Sequence, residues 1–240
     1  MCDKALGKEA HTDDNSGSRG SPTGERMKPG MHLKTADTIV FIGDSITDAE
    51  RHRQACKPLG LGYVHFVGNL LWARRPELNL SIVNTGVSGD TIRDLEHRWE
   101  KDCIAHGPNV VSILVGINDV WQLTMEPALA RTASTPSEYE VTYDGLLSRT
   151  KKRYDCQFVL MEPFMFCRDR SNAVFNALMS YIEIVRGLAA KYNAVLVPLQ
   201  QEIDRQIAEI PPEKWSGDAV HPYLWAHAWI ALRWLEATGL

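Results

Sequence analysis

Five short apolar runs recur along the chain, and each one ends at a glycine, a proline or a polar residue. The runs are continuous rather than alternating in polarity, which is typical of strands buried on both faces of a parallel sheet. Right-handed crossovers between such strands place helices on both faces. The pattern therefore predicts an α/β fold, a three-layer α/β/α sandwich with a five-stranded parallel sheet. The predicted strands are 38–42, 80–83, 110–115, 158–161 and 194–197.

The stretches between these runs carry apolar residues at the three- and four-residue spacing of amphipathic helices. Asp90 or Thr91 is the predicted cap of one helix, and Ser137 caps another with Glu140 as its capping-box partner. Between them, 122–136 is predicted to be an irregular insert, a candidate oligomer contact or site lid. The predicted helices are 63–74, 92–103, 137–153, 172–192, 199–210 and 222–235.

The composition is that of an ordinary folded protein, with 44% hydrophobic and 23% charged residues among 240. One α/β domain can reach this length. Residues 1–36 are polar and rich in Gly, Ser, Asp and Lys, so they bury little apolar surface. We therefore expect a flexible N-terminal tail over 1–36, ordered only near its end, and one domain over 37–240.

Charge and hydropathy exclude several kinds of partner. The formal net charge of −4 provides no basic field for nucleic acid. No apolar run approaches the ~20 residues that span a bilayer, and no secretory signal follows the first methionine. The five cysteines have neither disulfide-like nor metal-like spacing, as in a reducing compartment. We expect a cytoplasmic protein that acts on a small molecule, with no nucleic acid, no membrane and no metal.

Polar groups follow three of the predicted strands. Ser45 comes just after Gly43 at the end of the first strand, Gly86 follows the second, and Asn118 follows the third. The carboxyl ends of parallel strands open on one edge of the sheet, where ligands bind. Each residue alone also suits an ordinary turn. Their shared position favours a single active site.

A fourth group comes late in the chain, where Asp218 and His221 are three residues apart. Residues at this spacing lie on one side of a turn or helix start, so the carboxylate can reach the Nδ1 hydrogen of the imidazole. Nε2 is then left free to act as a base. A helix cap and a surface histidine are the ordinary alternatives.

Taken in order, four sequence blocks resemble those of the SGNH (GDSL-type) serine hydrolase superfamily, and the resemblance runs from about residue 37 to the end. Segments 59–64, 91–99 and 116–121 are similar to the small-esterase branch that includes intracellular acetylxylan esterases. Ile46 stands where the name-giving leucine would be, a volume-conserving change. The blocks are Gly43-Asp44-Ser45-Ile46, Asn84-x-Gly86, Gly116-x-Asn118-Asp119 and Asp218-x-x-His221.

The resemblance implies a flavodoxin-like fold and an esterase activity without metal or organic cofactor. Ser45 would be the nucleophile, His221 the base and then the acid, and Asp218 the group that orients the imidazole. The oxyanion hole would comprise the backbone amides of Ser45 and Gly86 and the side-chain amide of Asn118. These residue types suit acyl transfer, because a hydroxyl needs a neighbouring base and a tetrahedral intermediate needs donors.

Asp44, Trp121 and Trp215 are candidate substrate-binding residues, although the two tryptophans are equally suited to buried packing. The loops after Ser45 and Gly86 are not conspicuously apolar. This favours a short acyl group, and the resemblance favours acetyl esters of a small or oligomeric carbohydrate. A lipid esterase or lysophospholipase, a thioesterase and a non-catalytic carbohydrate-binding module remain alternatives.

Other chemistries have less support. The remaining histidines form no HExxH or paired-ligand spacing, and the loops contain neither a dinucleotide fingerprint nor a P-loop lysine. The aspartates near the predicted edge suit helix caps and turns better than a glycosidase pair.

Proton transfer through His221 predicts a pH dependence. We expect ester hydrolysis to slow as the pH falls from about 8 to about 5, because a protonated imidazole cannot accept the serine proton. Initial rates on p-nitrophenyl acetate across this range check the prediction. A flat profile would count against His221 as the base.

Overall fold

The computed structural model describes residues 30–53, 57–126, 128 and 133–240. Five strands form one parallel sheet in the order β2-β1-β3-β4-β5, which confirms the predicted fold class. Each strand lies within two residues of its predicted bounds. The strands are β1 (Thr38–Gly43), β2 (Ser81–Asn84), β3 (Val110–Leu114), β4 (Gln157–Met161) and β5 (Val195–Val197).

The strand order determines which face each helix covers. The chain passes from β1 to β2 in one direction, and then returns past β1 to β3, β4 and β5. Right-handed crossovers therefore place α2 on one face, where it packs with α8, and α3, α5 and α6 on the other. Within the described residues the helices are α1 (Ser45–Asp48), α2 (Tyr63–Arg74), α3 (Ile92–Asp102), α4 (Ile117–Met125), α5 (Pro136–Arg153), α6 (Ala173–Lys191), α7 (Leu199–Glu209) and α8 (Leu224–Thr238).

Buried tryptophans connect the helical layers to the sheet and to each other. Trp234 of α8 packs beside Phe41 of β1 and donates its indole N–H to the hydroxyl of Ser112 in β3, at 3.0 Å. Trp99 of α3 donates in the same way to Thr150 of α5, at 2.9 Å. These polar atoms are buried and paired, so the apolar layers accommodate them without an unpaired group.

The beginning of α5 differs from the prediction. Thr135 is the N-cap and Glu138 completes the capping box, so the predicted cap Ser137 and its partner Glu140 are wrong by two residues. The physical reason is Pro136, which is well suited to the first helical position because its missing N–H needs no acceptor there. Thr91, one of the two predicted caps of α3, does form a capping box with Asp94.

The predicted insert is shorter than expected. Helix α4 is anchored by the buried Ile117 and Val120 and continues to Met125, so the first part of 122–136 is helical. Residues 127 and 129–132 lie outside the described residues.

The predicted tail, 1–36, lies mostly outside the described residues and stays a prediction. At its end Met31 is buried, and its amide donates to Thr238 O at 2.8 Å, at the end of α8. In the described part of the chain, α6 alone is long and apolar enough to cross a membrane. Eight of its residues are buried, and it packs on α4, α5 and β4, as a core helix does.

Gly43, at the end of β1, allows a close approach between neighbouring strands. A Cβ there would lie 2.1 Å from Leu114 O of β3, a distance that only backbone movement can relieve. Gly145 of α5 is different, because no heavy atom lies within 4 Å of its Cβ position.

We expect Gly43→Ala to destabilise the protein by about 2 kcal/mol or more, since the clash is with backbone in the packed sheet. Gly145→Ala is the matched control, and it should stabilise by about 0.5–1 kcal/mol because alanine favours the helix. Denaturant unfolding of both variants checks the prediction. A Gly43→Ala protein as stable as wild type would contradict it.

Candidate active site

A serine, a histidine and an aspartate are hydrogen-bonded in series at the carboxyl edge of the sheet. Ser45 Oγ lies 2.9 Å from His221 Nε2, and His221 Nδ1 lies 2.6 Å from Asp218 Oδ2. The serine follows β1, whereas the other two residues precede α8, far along the chain. This is the geometry in which an imidazole can take a proton from a hydroxyl while a carboxylate orients the ring.

The position of Ser45 results from the turn between β1 and α1. Asp44 caps the helix, with its side chain accepting from the amide of Ile46 at 3.0 Å. Ser45 is the first helical residue, so its amide is among those with no intrahelical acceptor. The same residue therefore presents a hydroxyl and a backbone donor at the edge of the sheet.

The Asp218 carboxylate is held by several donors. Its Oδ1 accepts from the amides of Val220 and His221 and from the hydroxyl of Ser216, at 2.8–2.9 Å, which leaves Oδ2 for the imidazole. Partial burial alone would raise the pKa of Asp218, but the hydrogen bonds from the His221 ring and these donors outweigh it and hold the pKa well below its usual range. The carboxylate therefore stays ionised and fixes the ring.

Asn118 lies in the first turn of α4, which begins after Gly116. Its Nδ2 donates to Asp90 O at 2.9 Å. A side-chain amide has two N–H groups, so one donor remains for a ligand. The half-buried Asn118 is thus placed at the sheet edge just after β3, and its role as an oxyanion donor stays a prediction.

The predicted role of Gly86 does not fit the geometry. Its amide donates to Asn84 Oδ1 at 2.9 Å, and the residue is buried where a Cβ would lie 2.3 Å from Asp48 N. Gly86 is a glycine because α1 packs against it. Gly89 is exposed, with φ 88°, and none of the hydrogen bonds among the described residues engages its amide. Asp90, which follows it, accepts from Asn118, so Gly89 is the better candidate donor.

Two of the three predicted substrate contacts are wrong. Asp44 and Trp215 are each 1% exposed. Asp44 faces the protein interior, where burial raises its pKa to about 7, and Trp215 stacks on Phe166 at a ring distance of 5.7 Å. Trp121 is 37% exposed and is the one that a ligand can reach.

Trp121 also lines a cavity of about 330 Å³ that borders the aspartate of the hydrogen-bonded series. Its walls are largely apolar. The sequence analysis missed this cavity, because its residues come from α4, from the segment after β4 and from the start of α6. The lining residues are Trp121, Met125, Met165, Asn172, Ala173, Val174 and Asp218.

Comparisons with known proteins show the family of this chain. Residues 41–229 match the GDSL-like lipase/acylhydrolase family. Over 213 residues the chain is 35% identical to an acetylxylan esterase of Geobacillus stearothermophilus, covering 87% of this chain and 97% of that one. The crystal structure of that organism's Axe2, an acetylxylan esterase, has a TM-score of 0.82 at 35% identity, covering 88% of this chain and 97% of the other. The crystal structure of LAE5, an alpha/beta hydrolase enzyme from the metagenome of Lake Arreo, Spain, also has a TM-score of 0.82 at 35% identity. That match covers 88% of this chain and 98% of the other.

The fold and these matches define the class, a carboxylic ester hydrolase. The chain belongs to the GDSL-like lipase/acylhydrolase family, and within it to the branch that resembles acetylxylan esterases.

A second histidine, His227, lies near the site and is 8% exposed. Its Nδ1 accepts from the amide of Tyr63 at 3.2 Å, at the start of α2 where the N-cap Gly62 has no side chain. Burial, with a smaller contribution from His221, lowers the pKa of His227 to about 4. The ring is therefore neutral and has a structural role.

We expect His227 to make the protein less stable in acid, by about 3 kcal/mol between pH 6.5 and 4. The unfolded chain binds a proton in this window and the folded chain does not. Asp44 and Asp119, whose pKa values burial raises to about 7, act in the opposite direction.

The measurement is therefore a difference in unfolding free energy between wild type and His227→Asn, which keeps an acceptor for the Tyr63 amide. His97→Asn, at an exposed position, is the control.

The difference between wild type and His227→Asn should shrink as the pH falls from about 7 to about 4.5. A difference that stays constant over this range would contradict the prediction.

Proposed function

We propose that this chain removes acetyl groups from carbohydrate esters by a serine acyl-enzyme mechanism. The observation that carries the proposal is the series from Ser45 Oγ to His221 Nε2, 2.9 Å, and from His221 Nδ1 to Asp218 Oδ2, 2.6 Å. A protein that only binds carbohydrate has no need of such a proton relay.

The relatives support this choice of substrate and residues. Axe2 is described both as an acetylxylan esterase and as an acetyl-xylooligosaccharide esterase. Its catalytic mutants replace a serine, an aspartate and a histidine by alanine. That aspartate and histidine are three positions apart, as are Asp218 and His221 here.

In the first step, Ser45 Oγ attacks the ester carbonyl carbon while His221 Nε2 takes the hydroxyl proton. Asp218 stabilises the imidazolium that forms. The carbonyl oxygen becomes an oxyanion, and we assign its donors to the amides of Ser45 and Gly89 and to Asn118 Nδ2. Such donors are most effective when they are already in place before charge develops.

The tetrahedral intermediate then collapses. The bond from the carbonyl carbon to the alcohol oxygen breaks, and that oxygen takes the proton from His221, which leaves an acyl group on Ser45. A water molecule attacks the acyl carbon and passes its proton to His221. The acid departs as Ser45 recovers its proton, so the cycle needs neither metal nor organic cofactor.

The cavity beside Trp121 suits the alcohol half of the ester. An acetyl group is too small to need a cavity of about 330 Å³, whereas a sugar ring can lay its apolar C–H face on an indole. The same apolar walls, with Met125 and Val174, also suit a longer acyl chain. A lipid esterase is therefore the second candidate.

We expect acetate release from acetylated xylo-oligosaccharides and turnover of p-nitrophenyl acetate, with octanoate a poor substrate. Ser45→Ala should lower kcat at least about 1,000-fold, since it removes the nucleophile. Ser180→Ala, an exposed serine on α6, is the matched control and should match wild type.

Turnover of octanoate alone would favour the lipid esterase. If Ser45→Ala left the rates unchanged, Ser45 would not be the nucleophile.

A further inference from the structure

Arg98 projects from α3 beneath the loop that joins β2 to α3, with its side chain 15% exposed. Its guanidinium donates to four acceptors. Nε bonds to Asp90 Oδ2 at 2.6 Å, Nη1 to Thr85 O at 2.6 Å and to Asp102 Oδ2 at 3.2 Å, and Nη2 to Gly43 O at 3.0 Å. Most of the five N–H groups of this side chain are thus occupied by acceptors of different segments.

Two of these acceptors are carbonyls at the ends of adjacent strands. Gly43 O lies two residues before Ser45, and Thr85 O lies at the start of the loop 86–90. Because one rigid, planar group bonds to both, Arg98 links the turn that presents the nucleophile to the loop beside it.

The third acceptor, Asp90, is held from two sides. Arg98 binds its carboxylate, and Asn118 Nδ2 binds its carbonyl. Gly89, immediately before it, is exposed and has no heavy atom within 4 Å of its Cβ position. Its place in the loop therefore depends on Asp90, which is buried and whose amide also donates to Val87 O at 3.3 Å.

We propose that Arg98 is a positioning residue of the oxyanion hole, which holds Gly89 N–H and Asn118 in place relative to Ser45. It does not touch the substrate. The inference rests on the proposed function. Lysine cannot replace Arg98 here, because a single ammonium group cannot reach acceptors spread around a planar fork. Since pre-placed donors stabilise the transition state, loosening them lowers kcat more than it changes KM.

The test is a double-mutant cycle on p-nitrophenyl acetate with Arg98→Lys and Asn118→Ala. We expect Arg98→Lys to lower kcat about 10- to 100-fold, with KM within about threefold of wild type. Asn118→Ala should lower kcat about 100- to 1,000-fold. The fold-loss of kcat in the double variant should be smaller than the product of the two single fold-losses, because Arg98 acts partly through Asn118.

The two carboxylates that bind Arg98 give a second test and its matched control. Asp90→Asn should lower kcat about tenfold, since Asp90 belongs to the loop, whereas Asp102→Asn should stay within about twofold of wild type. Arg186→Lys, an arginine paired with the buried Glu162 at 2.6 Å, tests a purely structural effect. Any loss it causes should multiply with that of Asn118→Ala.

The inference would be overturned if Arg98→Lys had the kcat of wild type. It would also be overturned if the kcat losses of Arg98→Lys and Asn118→Ala multiplied in full. Either result would leave the proposed function intact. If circular dichroism shows that Arg98→Lys does not fold, the double-mutant cycle of Asp90→Asn with Asn118→Ala replaces it. Losses of kcat that multiply in full in that cycle would overturn the inference. Full activity in Asn118→Ala would overturn the proposed oxyanion hole and this inference with it.

Discussion

The pairing of β1 between β2 and β3 is the constraint on which the site depends. Gly43 is opposite Leu114 in that ladder, and it is a glycine because a Cβ there would clash with the Leu114 carbonyl. The three strands end side by side, so Ser45, the loop 86–90 and Asn118 lie together at one edge. Two loops from neighbouring strands and the start of a helix then assemble a site that no single segment contains.

Two aspartates near the nucleophile have opposite electrostatic environments. Asp218 accepts four hydrogen bonds and remains ionised, which suits a group that stabilises an imidazolium. Asp44 accepts from the Ile46 amide inside the protein, and burial raises its pKa to about 7. The surroundings thus shift the two pKa values in opposite directions. Asp218 lies beside the imidazole, whereas Asp44 caps the turn that presents Ser45.

Asn118 and Trp121 belong to the same helix, one turn apart in α4. Trp121 lines the cavity that borders Asp218, whereas Asn118 Nδ2 donates to the carbonyl of Asp90, whose carboxylate binds Arg98. The start of α4 therefore connects the cavity to the hydrogen bonds of Arg98.

The apolar pattern predicted the five strands and most helices, and the motifs made Ser45, Asn118, Asp218 and His221 candidates. These signals are local: a continuous apolar run indicates a buried parallel strand with the next polar residue at the edge, and a three-residue spacing places an aspartate and a histidine on one side of a turn. The preference for Gly89 over Gly86 as the candidate donor came from the fold, because it depends on which amide already has an acceptor. Burial of Trp215 and Asp44, exposure of Trp121 and the contacts of Arg98 were likewise decided by packing. These properties arise from neighbours that are distant in the chain, and no spacing of residues encodes them.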